Sequence, residues 1–150
     1  MSKLNSAFGD SQSLRIKTFT LADHEFKVRV PLTKEMDFLQ ERITNLDDAK
    51  FQERYEKMAA PFKKEAIDGV IVTEDDVTVD GRSIKALTRT VMTVENKVLE
   101  YIKLLMPANG SLEDITYEEI DAEWPTQVQM EILEKISEAI QPGYKDARKN

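Results

Sequence analysis

The sequence predicts a mainly α fold: a helical single domain with a small N-terminal β-hairpin and a long central helix. Three observations predict it. Ile84, Leu87, Val91, Val94, Val98, Tyr101 and Leu105 recur three and four residues apart, which places one apolar stripe along a helix. Phe26, Val28 and Val30 instead alternate with Lys27 and Arg29, the period of a half-buried strand. Thr116 and Glu119 stand at capping-box spacing ahead of a short helical stretch.

Taken in order, residues 1–13 are polar apart from Phe8 and read as a flexible N-terminal arm. Leu14, Ile16 and Thr18, then Phe19 and Leu21, read as a strand with a slip in alternation at Thr18-Phe19. A polar turn over residues 22–25 leads to the Phe26 strand, which Pro31 ends, so a hairpin spans about 14–30. A lone hairpin is marginal in water, and its apolar face must rest on helices.

Thr33 caps a helix to about Asn45 with Met36, Leu39, Ile43 and Leu46 on one face. Asp47 or Asp48 caps the next, which carries Phe51, Tyr55 and Met58. Pro61 then favours a break near Ala59 over a kink, with 62–67 as a further helical piece. Val70, Ile71 and Val72, then Val77 and Val79, form either a second small hairpin or an extended loop. The spacing predicts the central helix over 83–106, about six and a half turns, with Ser83 as N-cap and Pro107 as its stop. Its end is apolar nearly all round and needs covering, by its own chain or by another subunit. Ile115 and Ile120 occupy staple positions around the Thr116 cap. Pro125 opens the last helix, whose face is Val128, Ile132, Leu133, Ile136 and Ile140. The domain therefore covers 14–141, followed by a flexible C-terminal tail at 142–150 with Lys145, Arg148 and Lys149.

The chain has 150 residues, 41% hydrophobic and 33% charged, which suits one soluble domain with a real core. A net charge of −7 argues against non-specific contact with nucleic acid backbones. No apolar run approaches the ~20 residues a bilayer requires, so no membrane partner is expected. Cysteine is absent, which removes disulfides, thiol catalysis and cysteine-zinc sites.

His24 is the sole histidine and lies between Asp23 and Glu25 in the expected turn, where a solvated role fits better than a catalytic one. Glu74, Asp75, Asp76 and Asp80 lack the spacing and distal glutamate of a calcium loop and read as a solvated acidic turn. No glycine-rich phosphate loop occurs. Trp124 beside Pro125 reads as a core anchor at a helix junction. No catalytic, cofactor-binding or metal-ligating residue is assigned, and no cofactor is expected. The end of the central helix is the candidate surface, with Leu99, Ile102 and Met106 for oligomer or client contact. The segment 113–123 holds six acids and no base, so it is either a solvated face or a docking surface; Glu118, Glu119 and Glu123 would be its polar rim.

The stretches Leu14–Phe19 and Phe26–Met36, a strand followed by a proline and a capped helix, resemble the tail assembly chaperones of long-tailed (siphovirus-type) bacteriophages. The start of the last helix from Trp124 to Ile132 is also similar, and the likeness covers 14–141 loosely. The stretch 70–80 has no counterpart in that pattern. The resemblance implies a non-enzymatic protein of the host cell cytoplasm that coats the tape measure protein and helps tail tube protein assemble around it. It implies self-association into a homo-oligomer, absence from the mature virion, and in many members a longer frameshifted form. Two rival readings are a minor tail or connector subunit retained in the virion, and an acidic mimic of nucleic acid; scattered lysines among the acids weigh against the mimic.

Overall fold

The structure is a computed structural model in which residues 2–141 are described. The tail expected at 142–150 lies outside the described residues, as does Met1. The fold is mainly α, with an N-terminal hairpin and a second, three-stranded sheet. Two compact units form, residues 2–39 with 98–141, and Gln40–Lys97.

The first unit begins with α1 (Lys3–Phe8), a short helix within the stretch expected to be an arm. Ser2 caps it by accepting a hydrogen bond from Asn5 N at 3.1 Å, and Gly9 ends it at φ 78°. After a 3-10 turn, β1 (Ile16–Leu21) pairs antiparallel with β2 (His24–Arg29). The register runs unbroken from Ile16↔Arg29 to Leu21↔His24, so no bulge forms, although the half-buried positions change phase between Ile16 and Phe19 as the alternation suggested. Ala22 and Asp23, at φ 49° and 66°, make the two-residue turn whose twist matches the strands. His24 is thus the first residue of β2 rather than part of the turn.

The far edge of β2 is also occupied. Arg29 N donates to Leu104 O (2.9 Å), Met106 N donates to Lys27 O (2.8 Å), and Val28 bridges Leu105. This corrects the central helix, α4 (Ile84–Ile102), which ends four residues short of the predicted end at Met106. Bonds to β2 take up Leu104 O and Met106 N, and Leu105 is buried beside them, which outweighs the helical period there.

Helix α2 (Thr33–Thr44) follows the proline as expected. Glu35 braces its start: Glu35 Oε1 accepts from Leu32 N (3.2 Å) and from Arg15 Nη2 (2.8 Å). α5 (Tyr117–Glu123) carries the predicted cap, with Glu119 N donating to Thr116 Oγ1 at 3.3 Å. α6 (Thr126–Ile140) buries Ile132 and Ile136 completely. It also buries Gln129, whose Nε2 donates to Trp124 O (2.7 Å) and Asp121 Oδ1 (2.9 Å) while its Oε1 accepts from Tyr117 Oη (2.9 Å).

In the second unit, α3 (Asp48–Lys63) is capped by Asp47, which accepts from Lys50 N at 3.0 Å. It runs through Pro61 to Lys63, correcting the expected break, and residues 64–67 are not helical. Pro61 sits in the last turn, where one lost backbone bond is tolerable while Phe62 packs on the core of Tyr55, Ala59, Val77 and Ile84.

Strands β3 (Val70–Val72) and β4 (Val77–Val79) form the hairpin left open above, in the register Val70↔Val79. A third strand, β5 (Arg82–Ser83), was not expected; it pairs with β4 across a tight Asp80-Gly81 turn with both residues at positive φ. Gly69 is required at φ 84°, since a Cβ there would run into Asp80 Oδ1. Within α4 the buried line passes through Ile84 and Thr88, leaving Leu87 and Val94 of the predicted stripe exposed. Thr88 is tolerated there because its hydroxyl donates to Ile84 O at 2.7 Å.

Candidate functional site

The candidate site is an apolar cleft of about 240 Å³ in the first unit. Its position follows from the early end of α4. Once residues 104–106 turn to join β2, Pro107 and the Asn109-Gly110 turn carry the chain round to α5. Leu112 and Ile115 close a turn through Ile115 N donating to Leu112 O (3.2 Å), and both face the cleft. Ile102, Leu105 and Ile120 form its buried lining. Met106, Phe26 and Trp124 add to the wall, and Glu119 and Glu123 from α5 contribute the only carboxylates among the described residues.

A second cleft of about 310 Å³ lies across the same wall, lined by Leu21, His24, Val128, Glu131 and Ile132. Phe26 and Trp124 line both clefts. Their rings meet edge to face, with centroids 6.5 Å apart and planes at 88°. Phe19 stacks on the other side of Phe26 at 5.3 Å, and the hydrogen bond from Gln129 to Trp124 O fixes the junction between α5 and α6.

Four of the six residues singled out from sequence meet here: Ile102, Met106, Glu119 and Glu123. Ile102 is only 2% exposed, so it shapes the cleft from beneath and offers no open surface of its own. Met106 is half-buried in the wall. Leu99 is half-buried, and Glu118 is exposed on α5; neither lines the cleft. Sequence reasoning missed Phe26, Leu112 and the two-sided role of Trp124. The staple pair Ile115 and Ile120 was the available signal, since it fixes how the loop enters α5.

The lining combines apolar surface with carboxylates, which suits an apolar side chain accompanied by a cation. His24 on β2 lines the second cleft and not the first. Among the described residues no group of three or more His, Cys, Asp or Glu is placed to hold a metal ion. No helix among them is long and apolar enough to cross a membrane.

Another charged cluster with organised geometry lies in the second unit. Asp76, read above as part of a solvated turn, is half-buried and accepts from Val77 N (2.7 Å), Lys85 N (3.1 Å) and Ser83 Oγ. Burial opposes its charge, but those hydrogen bonds and the nearby Lys85 outweigh it and lower its pKa. Tyr55 has its pKa raised, first by burial and then by the charge and hydrogen bond of Asp76. Every partner of Asp76 belongs to the fold itself, so the cluster is structural.

Compared with protein-family models, curated proteins and solved structures, the chain matches none of them.

Proposed function

We propose that the chain is a non-enzymatic tail assembly chaperone of the kind made by long-tailed bacteriophages. In this reading it binds the tape measure protein in the host cell cytoplasm and promotes assembly of tail tube protein around it. It self-associates, and it leaves before the virion is complete. The observation that carries the reading is the acid-rimmed apolar cleft, where Ile102 and Met106 lie with Glu119 and Glu123. A greasy recess with charged lips can shield a sticky side chain of a client while the assembly stays soluble.

Exposed apolar side chains support the self-associating part. Leu87 and Val94 lie two helical turns apart on α4, and Ile71 and Val72 stand open on the edge strand β3. Phe8, 80% exposed, and Leu14 do the same near the N-terminus.

Size-exclusion chromatography with light scattering, with and without segments of a tape measure protein, tests the proposal. Assemblies larger than one copy that take up those segments are expected. A strict monomer indifferent to them would overturn it. Mass spectrometry of purified virions tests departure, because a retained tail or connector subunit would be present in the particle.

A further inference from the structure

We infer that the two clefts flanking the Phe26–Trp124 pair seat two apolar side chains of one basic amphipathic helix. The inference deepens the chaperone reading by giving the chemistry of the segment recognised, and it rests on that reading only for the identity of the natural client.

At about 240 and 310 Å³, each cleft is at or below the smallest pockets that enclose a whole small molecule. Both are lined mainly by aliphatic and aromatic groups, and the Phe26–Trp124 ring pair is common to both. Neighbouring shallow recesses of this kind match successive anchors on one helix face, spaced three, four or seven residues apart.

Charge selects the partner. Glu119 and Glu123 line the first cleft and Glu131 the second, while among the described residues no lysine or arginine lines either. Glu118 and Asp121 add exposed acids on α5. A helix with lysine or arginine beside its apolar face meets opposite charge along its length; an acidic helix meets repulsion.

The chain's single tryptophan stands in the dividing wall, so its emission reports occupancy directly. The probe is a tryptophan-free helical peptide of about 18 residues, or five turns, with leucines on one face and lysines on the other. A second peptide replaces every lysine with glutamate. The expected result is a saturable shift of Trp124 emission by the lysine peptide, weakened in high salt and absent with the glutamate peptide.

The double variant Glu119→Gln and Glu123→Lys, in which the glutamine keeps the capping-box acceptor for Thr116, should fold normally and bind the lysine peptide about tenfold more weakly. Removing the leucines of one anchor should also weaken binding, as two seats require. Equal response to both peptides, or none to either, overturns the inference. An emission change that follows protein concentration alone overturns it too, by making a second copy the occupant. If tape measure segments co-elute with the chain while Trp124 stays silent, this inference falls and the chaperone proposal stands. If Trp124 answers the lysine peptide but tape measure segments are ignored, the reverse holds.

Discussion

Ser83 Oγ donates a hydrogen bond to Asp76 Oδ2, and Asp76 Oδ1 accepts from Lys85 N at 3.1 Å. One carboxylate therefore joins the β3–β4 loop to the first turn of α4, where an anion also favours the helix dipole. Replacing it by Asp76→Ala should cost about 1–3 kcal/mol in urea unfolding at neutral pH. Because folding lowers the pKa of Asp76, its stabilisation is complete above the ordinary carboxylate value and fades as pH falls through the folded one. The gap between wild type and variant should accordingly close below about pH 4. A gap that persisted undiminished to the acid limit would remove the ionised carboxylate from its cause.

Ile102 and Met106 should separate fold from binding. Ile102→Ala opens a cavity under the cleft and should cost about 2–5 kcal/mol, while Ile102→Asp should abolish cooperative thermal unfolding. Met106→Arg, at a half-buried wall position, should keep near-wild-type circular dichroism yet lose most client or peptide binding. Equal loss of structure in Met106→Arg and Ile102→Asp would mean the cleft wall is core.

Gln129 holds three partners in a dry place. Gln129→Leu leaves the Tyr117 hydroxyl and the Trp124 carbonyl short of their bonds, with an expected loss of about 2–4 kcal/mol. Trp124 emission should move to longer wavelength in the folded variant as the α5–α6 junction loosens.

Arg54 meets Glu95 through two hydrogen bonds, at 3.2 and 2.5 Å. Both side chains retain some solvent contact, so a double-mutant cycle in denaturant should give a coupling of about 1 kcal/mol, reduced by salt.

The architecture was legible where one local rule spoke alone. The Asp47 cap, the Thr116–Glu119 box and the alternation at Phe26 and Val28 each predicted an element that forms. Reading failed where two rules competed. Pro61 suggests a break, yet Phe62 keeps the last turn packed. The period through Leu105 and Met106 suggests helix, yet a free strand edge claims those residues. The acids at 74–80 look alike in sequence, and only the return of β5 toward the loop sets Asp76 apart. Of the site, the apolar and acidic members could be named individually. That they share one recess depends on a loop path that no periodicity encodes, and Phe26 lies 98 positions from its ring partner Trp124.

Met106 N donates to Lys27 O, and that rung sets the phase of everything after α4. Deleting Leu104 would put Met106 in the buried place that Leu105 fills opposite Val28, and would bring Pro107, which has no N–H to donate, to the rung on Lys27 O. Length in that connection is therefore under tighter constraint than chemistry: trimming a single peptide unit should do more harm than exchanging Lys103 for almost any other polar residue.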